Sequence, residues 1–110
     1  MANNQTLDAV FHALADPTRR AVVQQLGRSP ATVSELAAPF GMALPSFMKH
    51  IRVLENSKLV VSAKAGRVRT CTLRRECLAG AELWFDEQRS LWKTRYDNLD
   101  GLLAKLSGEE

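Results

Sequence analysis

The stretch ELAAPFGMALPSFMKHIRVL, from Glu35 to Leu54, constrains this chain more than any other. Two short helical patterns meet across Phe40-Gly41-Met42. Leu36 and Ala37 give an apolar face before that turn. Phe47, Ile51 and Leu54, at i, i+4, i+7, give one after it. Gly41 stands where the first helix is expected to stop, because a left-handed residue at that point costs least without a Cβ. Pro45 suits the first turn of the second helix, where its missing N–H would have no intrahelical partner anyway. Ser46, Lys49 and Arg52 recur every three residues and share a face roughly opposite the apolar one. An apolar-backed helix with a cationic front, just after a tight turn, is the pattern of a helix-turn-helix. One side of its second helix docks on the domain and the other is offered to the major groove of duplex DNA.

The distribution of charge supports that reading. The net charge is only +3, but from Leu44 to Arg75 the basic residues are Lys49, Arg52, Lys58, Lys64, Arg67, Arg69, Arg74 and Arg75, against the single acid Glu55. From Glu76 onward the balance reverses: Glu76, Glu82, Asp86, Glu87, Asp97, Asp100, Glu109 and Glu110 outnumber Arg89, Lys93, Arg95 and Lys105. A cationic middle and an acidic last third point to a polyanion that meets the middle only. A length of 110 residues with 45% hydrophobic content suits one packed domain, 1–110, with a core over 16–74. No apolar run approaches a membrane span, and MANNQTLDAVF has neither a basic n-region nor a long apolar h-region. Cytoplasmic residence is therefore expected. Two cysteines in such a chain read as reduced thiols.

Along the chain, Thr6 to Ala15 reads as a first helix, with Leu7, Val10, Phe11 and Leu14 in one stripe and His12 off it. Asp16-Pro17 starts a second, with Asp16 as N-cap and Ala21, Val22, Val23 and Leu26 inward, ending at Gly27. Ala31-Thr32-Val33 reads as a very short strand, and Thr32 to Glu35 also matches a capping box. Pro39 predicts that the third helix is short, kinked or frayed. After an Asn56-Ser57-Lys58 turn, Leu59–Lys64 and Val68–Leu73 are β-prone around Ala65-Gly66-Arg67, a hairpin with Lys64, Arg67 and Arg69 at its tip. A basic tip directly after the recognition helix favours a wing that reaches the phosphate backbone over a hairpin blunted by charge.

From Glu76 to Leu106 runs a long helical pattern, broken near Ala79-Gly80. Leu78, Ala81, Phe85, Trp92, Leu99, Leu102 and Leu106 keep heptad-like spacing, interrupted by Gln88 and Arg95. Trp84, Leu91, Tyr96 and Leu103 widen the apolar surface beyond what one small domain covers. Helices over 5–15 and 76–106, with Leu7, Val10, Phe11, Leu14, Phe85, Trp92 and Leu99, are therefore expected to form a two-fold dimer interface. An aromatic-lined ligand pocket between subunits is the lesser alternative. The fold class is mainly α with a small β-hairpin: a winged helix-turn-helix flanked by an N-terminal helix and a long C-terminal one.

This order of elements, with LDAVFHALADPTRRAVVQQL, TVSELAAPFGM, KHIRVLENSKLV and GRVRTCTL spanning most of Leu7 to Leu73, resembles the ArsR/SmtB family of bacterial winged-helix repressors. The terminal helix, with Trp84, Trp92, Tyr96 and Leu99, resembles the subgroup without metal sites. The resemblance implies a homodimeric, operator-binding repressor, and the symmetry of such a dimer calls for an inverted-repeat operator. The resemblance places the groove-facing positions on Leu44, Pro45, Ser46, Met48, Lys49 and Arg52. Leu44 and Met48 stand where Gln and Ser are common in the family; they can touch thymine methyls but cannot read base edges by hydrogen bonds. His50 matches a common family histidine, which either reaches a phosphate or packs. The family's metal ligands are cysteines in the third helix or His and carboxylates on the last. Here SELAAPF has no Cys and the last helix no His, so no metal and no cofactor is expected. An inducer, if there is one, is not named by the sequence.

Two rivals remain. Cys71 and Cys77 are six apart, and a disulfide between them would pull on the wing if their Cα atoms came within about 7 Å. Arg69, Arg74 and Arg75 nearby would lower a thiol pKa. Against this thiol-redox reading stands the commoner one of two small buried residues. A winged helix used only for protein contacts is the other rival, and it would not need the basic wing. For an enzyme there is no Gly-rich phosphate loop, no nucleophile with a positioned base and no paired carboxylates in a plausible cleft.

Overall fold

The computed structural model describes residues 2–108, and Glu109 and Glu110, counted above among the C-terminal acids, lie outside the described residues. Helix α1 (Ala2–Leu14) leads into α2 (Pro17–Leu26), the two-residue strand β1 (Ala31–Thr32), α3 (Val33–Ala37) and α4 (Leu44–Asn56). The hairpin β2 (Val60–Ala65) and β3 (Val68–Leu73) follows, then a 3-10 turn over Arg75–Leu78 and the long helix α5 (Ala79–Leu106). Two compact units result, one up to Gly80 and one from Ala81.

The first unit is built on local chemistry that favours each boundary. Asp16 has an extended backbone, its side chain accepts the Arg19 N–H, and Pro17 occupies the first turn of α2. Thr32 and Glu35 close a reciprocal capping box: the Glu35 N–H donates to Thr32 Oγ1 at 3.1 Å and the Thr32 N–H donates to Glu35 Oε1 at 2.8 Å. Arg19 also ties α2 to the end of α1, donating from Nε to the Ala13 carbonyl (2.8 Å) and from Nη2 to that of His12 (3.1 Å). Arg20 does the same for Leu14 (2.8 Å). The His12 carbonyl also accepts from the Ala15 N–H at 3.1 Å, and the arginines satisfy the acceptors that the end of a helix leaves open.

Three sequence expectations are corrected here. The third helix ends at Ala37, four residues before Gly41. Pro39 explains this: Ala38 still has helical backbone (φ −54°, ψ −43°), but Pro39 has no N–H with which to continue the helical ladder. Gly41 has no left-handed φ, and a Cβ there would meet open space, so it is not a helix stop. Lys58 takes a left-handed conformation instead (φ 70°), just past α4. There the buried Ser57 hydroxyl donates to the Leu54 carbonyl (2.7 Å) and accepts from the Leu59 N–H (3.3 Å). The first helix starts earlier than Thr6, at Ala2, and the last starts at Ala79 after a separate 3-10 turn rather than at Glu76.

The hairpin has a two-residue connection, Gly66-Arg67, between the paired Ala65 and Val68. Gly66 alone of the two has positive φ (62°), the pattern of a type II′ turn, whose twist matches that of the strands. Strand β1 joins the sheet outside β3, pairing Ala31 with Cys71 and Thr32 with Thr70, so the sheet order is β1-β3-β2. Phe47, Ile51 and Leu54 of α4 are fully buried with Leu36, Leu59 and Val22. Burying each side chain of this size stabilises by about 1.5–3 kcal/mol. Rings of Phe40 and Phe47 stack at 5.7 Å, so the residue before Gly41 is packed against the second helix of the motif.

Asp16 carries a pH dependence. Partial burial raises its carboxyl, but the Arg19 N–H, the charges of His50 and Arg19, and the Thr18 N–H together hold it below the usual value of 3.8. A folded-state value below the unfolded one contributes stability above the unfolded pKa and loses it as pH falls through the folded one. The contribution is therefore intact at pH 7 and declines below about pH 4. Asp16→Asn keeps a good cap. It is expected to leave the melting temperature at pH 7 nearly unchanged and to flatten its fall between pH 4 and 2.5. Asp16→Ala is expected to lose about 1 kcal/mol at pH 7.

Candidate nucleic-acid interface

Helix α4 presents two distinct faces. Its inner row is sealed, while Leu44, Pro45, Ser46, Lys49 and Arg52 are exposed and Met48 is half-buried. The helix opens without a side-chain cap at Ala43. Its first N–H groups are thus open to an outside acceptor, and a phosphate at a helix N-terminus is favoured by the dipole.

The wing meets this helix at a groove of about 400 Å³, lined by Leu44, Lys64, Arg67, Val68 and Arg69 with Thr32, Val33 and Ser34 of the neighbouring helix start. Four of the sequence-predicted positions are thereby brought together: Leu44, Lys64, Arg67 and Arg69. Lys64 and Arg69 face each other directly across the hairpin. Like charges in such a pair destabilise a sheet, so this arrangement gains most when an anion lies over it.

Two predicted residues are engaged inward. His50 is half-buried, with Nδ1 3.2 Å from Arg19 Nη1 and 3.7 Å from Asp16 Oδ2. A guanidinium only donates, so this contact is a hydrogen bond when Nδ1 carries no proton, whereas a protonated ring turns its charge toward Asp16. Of the two roles open to His50, the packed one is the geometry seen. Arg69 is half-buried, and its Nη1 donates to Ser62 Oγ at 2.8 Å. The Ser62 hydroxyl in turn donates to Glu55 Oε2. Neither Ser62 nor the Arg19–His50 contact stood out in the sequence, because their partners are distant along the chain. Glu55 did carry a signal, as the single acid in the cationic segment.

The cysteines are both free, Cys71 buried in β3 and Cys77 half-buried with its thiol against the Lys58 carbonyl at 3.0 Å. Burial pushes the Cys71 thiol up, the Glu55 charge adds to this, and Arg69 only partly opposes. The expectation that nearby arginines lower this thiol is therefore corrected: desolvation outweighs them. Among the described residues no group of three His, Cys, Asp or Glu side chains is placed to hold a metal ion. No helix among them is long and apolar enough to cross a membrane.

In the second unit, α5 is exposed along nearly its whole length. Among the described residues, ten of the thirteen exposed large hydrophobics run from Leu83 to Leu106, with Phe85 49%, Trp92 56% and Leu99 49% exposed. In α1, Leu7, Phe11 and Leu14 are half-buried, whereas Val10 is 1% exposed and already part of the core of its own chain.

The helix-turn-helix domain family matches residues 14–63, which take in the capped α2, the motif and the first four residues of the first wing strand. The crystal structure of the ArsR family transcriptional regulator RHA00566 superposes with a TM-score of 0.78 at 57% identity, covering 82% of this chain and 93% of that one. The chain belongs to the ArsR family of transcriptional regulators. This ArsR-family chain is also 37% identical over 73 residues to the HTH-type transcriptional regulator Rv2034 of Mycobacterium tuberculosis, spanning 66% of this chain and 68% of that protein. A homodimeric winged helix-turn-helix DNA-binding domain, Mb0332 of Mycobacterium bovis, shares the fold at 20% identity and a TM-score of 0.64, covering 82% of this chain and 85% of that one. As an ArsR-type regulator, the protein is a DNA-binding transcriptional regulator with a winged helix-turn-helix.

Proposed function

We propose that this ArsR-type regulator is a homodimeric repressor that reads an inverted-repeat operator with the outer face of α4. The observation that carries this reading is the split of that helix: Phe47, Ile51 and Leu54 fully buried, Ser46, Lys49 and Arg52 exposed on the other side. Ser46 and Lys49 reach base edges or the phosphates that flank them, and Arg52 lies one turn further along. Leu44 and Pro45 offer apolar contact to thymine methyls, and half-buried Met48 borders them. Lys64 and Arg67 hold the backbone beside the groove, with Arg69 behind them. His50 acts from within, fixing α4 against α2.

The second copy is argued from α5, whose apolar rows are too extensive to leave in water and whose spacing suits a helix pair. The shared fold of Mb0332, a homodimeric domain, supports the same arrangement. Phe85, Trp92 and Leu99 are its central residues, joined by Leu7, Phe11 and Leu14. Two-fold symmetry then places half-sites about one helical turn, ~34 Å, apart. Bound across a promoter in the cytoplasm, such a dimer excludes polymerase by occupancy and needs no catalytic group, metal or cofactor.

Lys49→Ala tests the placement. With a duplex selected from a random pool, its affinity is expected to fall about tenfold and its salt slope to drop by about 0.9 if Lys49 meets a phosphate. Unchanged affinity and slope would remove Lys49 from the interface and with it this orientation of α4.

A further inference from the structure

Glu55 is out of place on electrostatic grounds. It is the single acid between Leu44 and Arg75, in the last turn of the helix proposed to read DNA. A bare carboxylate there repels phosphates and lowers affinity. The structure gives it a task. The Ser62 hydroxyl has one hydrogen, and it is committed to Glu55 Oε2. Its lone pairs are therefore left for a donor, and Arg69 Nη1 supplies one at 2.8 Å. Three elements are joined in order: β3 through Arg69, β2 through Ser62, α4 through Glu55. All three residues are half-buried, so the link is shielded from solvent more than a surface ion pair would be. Ser62 and Arg69 lie diagonally on one sheet face, next to the like-charged pair of Lys64 and Arg69. Without the link, Arg69 would be pushed outward by Lys64 and drawn to any phosphate nearby.

We propose that Glu55 is a positioning residue for DNA recognition: through Ser62 it holds Arg69 as a strut between the recognition helix and the wing, and so fixes where Lys64 and Arg67 meet the backbone relative to Ser46, Lys49 and Arg52. The inference rests on the DNA-reading face assigned above. It makes Arg69 a source of specificity rather than a phosphate contact. The strut keeps one cation off the backbone, which lowers affinity for any duplex, and it holds the wing at one angle, which favours the duplex whose groove geometry suits that angle.

The sign of the effect separates this from simple charge removal. Affinities are measured for the selected operator and for a random duplex, over a range of salt, with wild type, Glu55→Ala, Ser62→Ala and Ser62→Thr. Melting temperatures confirm that each variant is folded at the assay temperature. Glu55→Ala is expected to bind random duplex more tightly, with a salt slope steeper by about 0.9 as Arg69 turns to a phosphate. Its operator-to-random ratio is expected to fall about tenfold, the worth of one charge-assisted hydrogen bond. Ser62→Ala leaves every charge in place and is expected to lower the same ratio. Ser62→Thr keeps the hydroxyl and is expected to restore it. A ratio unchanged in both alanine variants overturns the strut. So does a Glu55→Ala protein that tightens on both duplexes equally, which is what an unattached carboxylate would give. Wild-type protein with no preference among duplexes would instead overturn the DNA reading itself, and the strut with it.

Discussion

Phe47→Ala is expected to cost about 3–5 kcal/mol of folding free energy and to abolish duplex binding at ordinary temperature. Phe47 is fully buried and its ring stacks on Phe40. Removing it leaves a cavity under the recognition helix and strips the packing that holds Phe40 and the turn after it. A domain of this size has only about 5–15 kcal/mol of net stability, so the loss takes a large share. The measurement is the urea midpoint and slope, followed by a binding titration. Ser46→Ala, one residue away and exposed, is expected to keep its midpoint within about 0.5 kcal/mol of wild type. A Phe47→Ala protein as stable as Ser46→Ala would show that α4 is held by something other than its apolar face.

Trp92→Glu is expected to turn the proposed dimer into monomers at micromolar concentration, read by sedimentation or light scattering. Trp92 is 56% exposed in the single chain, and it shares its heptad row with Leu99. A central aromatic lost from an interface costs at least about 2 kcal/mol, and a carboxylate forced between apolar rows adds a desolvation cost. The dimer constant then weakens by about 30-fold or more. Operator affinity should fall far more than affinity for random duplex, because only the operator rewards two reading heads held at one spacing. Trp92→Glu that remains paired with an unaltered constant would place the interface elsewhere.

What was legible in the sequence follows the range of the forces involved. Asp16-Pro17 and the Thr32–Glu35 capping box were readable because a cap is satisfied within three residues. The hairpin was readable because Gly66 supplies the one positive φ its turn needs. Gly41 was misread as a helix stop because the nearer and stronger signal, Pro39, had already ended the helix. The inner and outer faces of α4 were legible by period alone. Its polar partners were not. His50 meets Arg19 thirty-one positions away, and Arg69 meets Ser62 only once the strands are in register. The Cys71 thiol was misjudged for the same reason: adjacent arginines are visible in sequence, but the burial that outweighs them is not.

Thr32 is a joint between two parts of the domain. It pairs with Thr70 of β3 and at the same time caps α3. One residue therefore belongs to the wing's sheet and to the first helix of the motif. Neither part can swing without dragging the other, so they travel as a single lever. A load placed on the wing's sheet is therefore passed to the first helix of the motif through one backbone position, with no flexible linker between them.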